Sequence, residues 1–348
     1  MDLLEATPVA HDLVTTAQAM MQAGKGILAM DESTPTCNKR FAALGIPQTV
    51  EARRAWRELI LTTPGLGEYI SSAILYDETI RQSAADGTSF LALIAHAGII
   101  PGIKVDAGAR DLAGHPGEKV TEGLDRLRER FAEYRQMGAR FAKWRAVIAI
   151  GKNIPSRGCL EANAHALARY AALSQEAGIV PIVEPEVLMD GEHTLARCAE
   201  VTETTLHTVF DALYRQRVLL EGMILKPNMV LSGADCPVQA DIDDVADATV
   251  NVLLRAVPAA VPGVAFLSGG QSAALASARL NAMNTRWRGK VPWALTFSFS
   301  RAIQQPAMAS WKGDSKQAGA AQTVLHERAK ANGMARRGEY PAATTRSS

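Results

Sequence analysis

Lys226 closes the run Gly222-Met-Ile-Leu-Lys226-Pro-Asn-Met-Val, a single amine at the end of a short apolar stretch. An amine carried to a buried strand end is expected to have its pKa lowered, which exposes a nucleophile able to trap a carbonyl as an imine. Charged partners recur at comparable places. Lys143 and Arg145 lie two apart in Phe141-Ala-Lys143-Trp-Arg145, as do Glu184 and Glu186 in Ile179-Val-Pro-Ile-Val-Glu184-Pro-Glu186. On a strand, residues two apart share a face. Set beside Asp31 and Lys104, these groups would form a mixture of amines and carboxylates, one amine acting as nucleophile and the others as proton carriers. A set of buried ion pairs is the competing structural reading.

The elements that must position them follow from the same pattern, since eight short apolar runs end in a charged or hydroxyl residue. Besides the three above, they are Gly26-Ile-Leu-Ala-Met-Asp31, Ser72-Ala-Ile-Leu-Tyr-Asp77, Ile100-Pro-Gly-Ile-Lys104-Val-Asp106, Val264-Ala-Phe-Leu-Ser268 and Trp293-Ala-Leu-Thr-Phe-Ser298-Phe-Ser-Arg301. Helical spacing fills the intervals, with helices expected at Thr121–Met137, Glu161–Ala177, Val201–Glu221 and Ala273–Met283. Gly138, Gly178 and Gly222 then stand where a left-handed cap would end a helix before the next strand. Alternating strands and helices imply a parallel sheet with right-handed crossovers, and eight of them a (β/α)8 TIM barrel. Residues 1–332 are expected to form this single domain, residues 1–25 contributing a helix across the barrel. From Gly333 apolar content collapses, so 333–348 are expected to be a flexible tail.

The chain has 348 residues, 47% of them hydrophobic, with a formal net charge of +1 and no block of like charge. Nothing in that balance calls for nucleic acid. The four cysteines, Cys37, Cys159, Cys198 and Cys236, have no paired spacing and read as reduced thiols. The acidic opening Met-Asp-Leu-Leu-Glu is unlike a secretory signal, and the most apolar stretch, Phe90–Ile103, is too short for a membrane span. A cytoplasmic location without membrane attachment is expected. The seven histidines show no close pair, so no metal and no cofactor is expected.

Two anion sites are suggested. Leu267-Ser268-Gly269-Gly-Gln-Ser272 leads into a helix whose free N–H groups suit a phosphate, with Arg301 just beyond the eighth strand. Ser33, Thr36, Lys39 and Arg40 follow the first strand, with Lys104 and Arg145 opposite. Two phosphate sites flanking a lysine imply a bisphosphate.

Seven segments in order carry a resemblance: Gly24-Lys-Gly-Ile-Leu-Ala-Met-Asp-Glu-Ser-Thr34, Pro101-Gly-Ile-Lys-Val-Asp106, Ala142-Lys-Trp-Arg145, Val183-Glu-Pro-Glu186, Leu225-Lys-Pro-Asn-Met-Val230, Phe266-Leu-Ser-Gly-Gly-Gln-Ser272 and Leu295-Thr-Phe-Ser298. On these, the chain resembles class I fructose-bisphosphate aldolase from about residue 10 to about residue 340. The resemblance implies that Lys226 forms a Schiff base with the substrate ketone, that Asp31 takes the proton from the C4 hydroxyl, and that Glu184 serves carbinolamine formation and dehydration with Lys143 beside it and Glu186 in support. It further implies that Ser268, Gly269 and Arg301 hold the C1 phosphate, that Ser33, Thr36, Lys104 and Arg145 hold the C6 end, that Ser298 is a further substrate- or phosphate-binding residue, and that the protein is a homotetramer. The reaction implied is reversible cleavage of fructose 1,6-bisphosphate to dihydroxyacetone phosphate and glyceraldehyde 3-phosphate, with sedoheptulose 1,7-bisphosphate or fructose 1-phosphate as further substrates. Two departures stand out. Phe299-Ser300-Arg301 replaces the Tyr-Gly-Arg of many members, and the chain ends Arg-Ser-Ser where animal members end in a tyrosine that aids late protonation. Tyr340, eight residues from the end, is the nearest tyrosine. The rival readings are a transaldolase-like barrel, a zinc-dependent aldolase, and a barrel serving only as a scaffold.

Overall fold

The computed structural model describes residues 8–341. Ten strands occur in them: β1 (Gly26–Ala29), β2 (Ile70–Leu75), β3 (Ile100–Lys104), β4 (Gly108–Asp111), β5 (Lys119–Glu122), β6 (Phe141–Ile148), β7 (Val180–Val187), β8 (Ile224–Leu225), β9 (Gly263–Phe266) and β10 (Ala294–Phe299). Eight of them close a parallel barrel in the order β1-β10-β9-β8-β7-β6-β3-β2, and helices follow the strands around it. All eight apolar runs read from the sequence are its strands.

Because side chains alternate across each strand, the barrel has two apolar layers of different kind. One parity, including Leu28, Ala73, Ile103, Trp144, Val183, Leu225, Phe266 and Phe297, packs outward against the helices. The other fills the interior near the strand starts with Ile27, Ala29, Ile74, Phe141, Val180, Ile182, Ile224 and Ala265. Leu13, Ala17 and Met20 of the helix Pro8–Met20 close that end from below. Two residues farther along the same strand faces, the interior changes from apolar to ionic: Ala29 is followed by Asp31, Phe141 by Lys143, Ile182 by Glu184 and Ile224 by Lys226. Strand period alone therefore sets the charged layer directly above the apolar one.

Three expectations need correction. The helix expected at Thr121–Met137 begins only at Leu127, because Lys119–Glu122 pair with Gly108–Asp111 as the antiparallel hairpin β4–β5. Thr121 is drawn into that strand by its Oγ1 donating to Arg145 O (2.7 Å) and its N–H donating to Asn163 Oδ1 (3.3 Å). The helix expected at Val201–Glu221 lies instead at Leu195–Arg215, capped by Thr194 Oγ1 accepting from Arg197 N at 3.2 Å. At the far end the last helix, Ala318–Arg337, continues past the expected tail boundary. Gly333 and Ala335 are buried, which holds that turn on the protein, and Gly338 caps it in the left-handed region. Tyr340 packs partly buried beyond it, its N–H donating to Asn281 Oδ1 at 2.9 Å. The remainder of the expected tail, 342–348, and the start of the N-terminal segment, 1–7, lie outside the described residues.

The interior tolerates no added volume near the strand starts. A Cβ at Gly102 would stand 2.3 Å from the ring of Phe141, which is itself fully buried. Gly102→Ala is expected to destabilise the fold by about 1–3 kcal/mol in urea unfolding, as overpacking does; an unchanged midpoint would contradict this packing.

Candidate active site

The ionic layer opens at the C-terminal ends of the strands into a cavity of about 530 Å³, and every candidate site residue named from the sequence lines it. Lys226 gets there because β8 stops: its N–H donates to Val183 O (2.8 Å), and Pro227 after it has no N–H to donate to a neighbouring strand. The following Asn228 pins the segment to β7, its Oδ1 accepting from Val187 N at 3.0 Å.

Four side chains form the floor, each almost wholly buried. Lys226 Nζ lies 3.2 Å from Glu184 Oε1. Lys143 Nζ lies 2.7 Å from Asp31 Oδ2 and 3.4 Å from Glu184 Oε2. The second of these is an ion pair without hydrogen-bond geometry, so Glu184 Oε2 has no donor. Burial alone would push the Asp31 carboxyl up, but Lys143, and after it Lys226, outweigh burial and hold it below its ordinary range. Lys143 shows the mirror image. Burial works against its charge, yet Asp31 and then Glu184 keep its ammonium protonated well above the usual lysine range. The floor thus carries the ion pair Asp31–Lys143 beside a second amine, Lys226, that contacts Glu184 Oε1.

The rim is cationic, but its cations differ in how far they are neutralised. Lys104 Nζ is bound to Asp106 Oδ1 (2.6 Å) and Asp106 O (2.8 Å), and Arg145 pairs with Glu186. Among the described residues Arg301 forms no ion pair; it donates to Gly269 O. Burial lowers its pKa, with Arg40 adding to the effect and Glu186 opposing it. Arg40 in turn shares one carboxylate, Glu32, with Arg57, so on this side the cations outnumber the carboxylates paired with them. Gly269, at φ +55°, takes a conformation that side chains resist, turning the loop after β9 toward the mouth. Ser298 Oγ is buried with no partner among the described residues, and Ser33 and Thr36 bond each other (3.1 Å).

Sequence reasoning missed the group behind this rim. Glu32, adjacent to Asp31 and buried, accepts at Oε1 from Arg40 Nη1 (2.5 Å), Ser300 Oγ (2.5 Å) and Gln304 Nε2 (2.8 Å), and its Oε2 lies 2.6 Å from Arg57 Nη2. Burial opposes its charge, but Arg57 and Arg40 hold it far below the ordinary carboxylate range. Arg57 and Gln304 sit in long helices where polar residues read as solvated surface; the signal that could have found the group was the hydroxyl at Ser300.

Both Asp31 and Glu32 bind protons more readily in the unfolded chain, at ordinary values of 3.8 and 4.5, than in the folded one. Their contribution to stability is therefore fully present above those values and is lost progressively as pH falls below them toward the depressed folded-state values. Asp31→Asn removes one of the two, so the slope of unfolding free energy against pH between about 5 and about 3 should become shallower than in the parent. An unchanged slope in urea titrations at stepped pH would sink the assignment.

Comparison with known proteins agrees with the geometry. The family model described as fructose-bisphosphate aldolase class-I matches residues 12–348. A Xanthomonas campestris protein named "Probable fructose-bisphosphate aldolase class 1" is 58% identical over 95% of this chain and 98% of its own. "Fructose-bisphosphate aldolase" of Dictyostelium discoideum is 50% identical over 95% of this chain and 93% of its own. Among solved structures, Plasmodium falciparum fructose-bisphosphate aldolase, in a complex with TRAP and a small-molecule inhibitor, superposes with a TM-score of 0.94 at 48% identity, covering 96% of each chain. With the barrel, the buried two-lysine floor and these matches together, the chain belongs to the class I fructose-bisphosphate aldolase family.

Proposed function

We propose that Lys226 is the amine that captures the substrate ketone and that Glu184, Asp31 and Lys143 move the protons. The reaction itself follows from the family: the protein is a lyase that reversibly cleaves fructose 1,6-bisphosphate to dihydroxyacetone phosphate and glyceraldehyde 3-phosphate. The observation that carries the residue roles is Glu184 Oε1 at 3.2 Å from Lys226 Nζ inside the buried floor.

In this reading Glu184 takes the proton from Lys226, whose neutral Nζ then attacks C2 of the open-chain ketose. Glu184 returns a proton to the carbinolamine hydroxyl, which leaves as water and gives the protonated imine. That cation draws the C3–C4 bonding electrons toward nitrogen. Asp31, anionic beside Lys143, accepts the proton of the C4 hydroxyl as the bond breaks, so glyceraldehyde 3-phosphate departs and an enamine remains on Lys226. Protonation at C3 and hydrolysis release dihydroxyacetone phosphate. Lys143 keeps Asp31 charged, while Glu186 holds Arg145 at the rim. The phosphates are assigned to Ser268, Gly269 and Arg301 at one end and to Ser33, Thr36, Lys104 and Arg145 at the other, with Ser298 as a further substrate-binding residue. Support for the first set is that Arg301 forms no ion pair among the described residues, while the nearby Arg40 shares the single carboxylate of Glu32 with Arg57.

The assembly is proposed to be a homotetramer and the location the cytoplasm. For the latter, the support is that no helix among the described residues is long and apolar enough to cross a membrane, and that an Arabidopsis thaliana relative is named cytosolic.

Coupled assays of fructose 1,6-bisphosphate cleavage test these roles. Lys226→Met should abolish turnover, and Glu184→Gln should lower kcat by about a hundredfold to ten-thousandfold, as loss of a general acid-base group does. Turnover at the parent rate in Lys226→Met would overturn the assignment.

A further inference from the structure

Ser300 occupies the N-cap of the helix Arg301–Trp311, where a serine hydroxyl ordinarily accepts from an N–H of the first turn. Here it makes no such bond, and its backbone, at φ −106° and ψ −80°, is not that of an extended cap. The hydroxyl instead donates to Glu32 Oε1 (2.5 Å) and accepts from Arg40 Nη1 (3.1 Å), which itself reaches Glu32 Oε1 at 2.5 Å. The three polar groups form a closed triangle. A hydroxyl is suited to this position because it is donor and acceptor at once.

The triangle is fixed from behind. Arg57, fully buried, pairs with the other Glu32 oxygen at 2.6 Å. Gln304 Nε2 bonds Glu32 Oε1 (2.8 Å), Ala29 O (2.6 Å) and Ser300 Oγ (3.3 Å), while Gln304 Oε1 accepts from Trp56 Nε1 at 3.1 Å. Glu32 cannot turn away without stranding Arg57. Arg40, by contrast, lines the cavity, and among the described residues its Nε and Nη2 donate to no protein acceptor. It therefore presents part of a guanidinium fork to the mouth, anchored through Nη1, close enough to Arg301 for their charges to interact.

We propose that Ser300 is a positioning residue: its hydroxyl locks Arg40 onto Glu32 so that the free guanidinium edge, together with Arg301, meets a substrate phosphate. Arg40 brings the charge and Ser300 the geometry. Without the hydroxyl, Arg40 keeps its attraction to Glu32 but loses the second bond that sets its angle, and the fork must be ordered when the phosphate binds. The proposal rests on the bisphosphate reading above.

The test compares the parent with Ser300→Ala, Ser300→Gly and Ser300→Thr, measuring KM for fructose 1,6-bisphosphate, kcat, and the affinity for inorganic phosphate from its effect on the melting temperature. Loss of one hydrogen bond to a charged group corresponds to about a tenfold or larger effect. Ser300→Ala and Ser300→Gly should raise KM and weaken phosphate binding by about that factor, with kcat falling less than KM rises. Ser300→Thr restores the hydroxyl and should recover most of both. If Ser300→Ala does not fold, the glycine variant, which adds no bulk, decides. Phosphate affinity within twofold of the parent in the hydroxyl-less variants, or a threonine variant no better than alanine, overturns the proposal. Because phosphate binding is read without turnover, its loss in Ser300→Ala supports the positioning role even if the reaction roles assigned above are wrong, and its persistence refutes that role even if they are right.

Discussion

Two lysines and two carboxylates inside a barrel are tolerated only as a set. An isolated charge in such an interior would cost several kcal/mol after relaxation, and removing one partner from a buried pair leaves that cost exposed. Asp31, Lys143, Glu184 and Lys226 sum to neutrality when all are charged, and their contacts of 2.7 to 3.4 Å hold that sum in place. Everything around them serves this arrangement. The apolar plug of Ile27, Phe141, Val180, Ile182 and Ile224 fixes the floor beneath the charges, and the early stop of β8 at Pro227 sets the height of Lys226.

The same economy explains the rim. Lys104 and Arg145 are each matched to a carboxylate of their own, whereas Arg301 is not, and Arg40 shares Glu32 with Arg57. A dianion is therefore drawn most strongly to the side of Arg301 and Arg40, where protein anions have left charge unanswered, and placed on the Lys104 side it must compete with Asp106 and Glu186. The asymmetry makes the two ends of the cavity unequal in their attraction for a dianion.

Much of this was legible beforehand because it is periodic. Strand alternation ties Lys143 to Arg145 and Glu184 to Glu186, and an apolar run ending in charge marks a strand end wherever it occurs. What the sequence hid is what depends on meetings between distant elements. The hairpin β4–β5 is held by Thr121 reaching Arg145 and Asn163, contacts that leave no local trace, so the stretch read as helix. Arg57 and Gln304 look like solvated helix residues until Glu32 is seen between them. Ser300 stood out as a departure, but its role as a bridge needed the positions of Arg40 and Glu32, 260 and 268 residues away.

The central claim is that one amine of several in the cavity is the nucleophile. Borohydride reduction in the presence of dihydroxyacetone phosphate, followed by intact mass and peptide mapping, addresses it directly. The account requires a single adduct on Lys226, absent from Lys226→Ala, with Lys143 and Lys104 unmodified. An adduct on Lys143, or none on a folded protein, would contradict it.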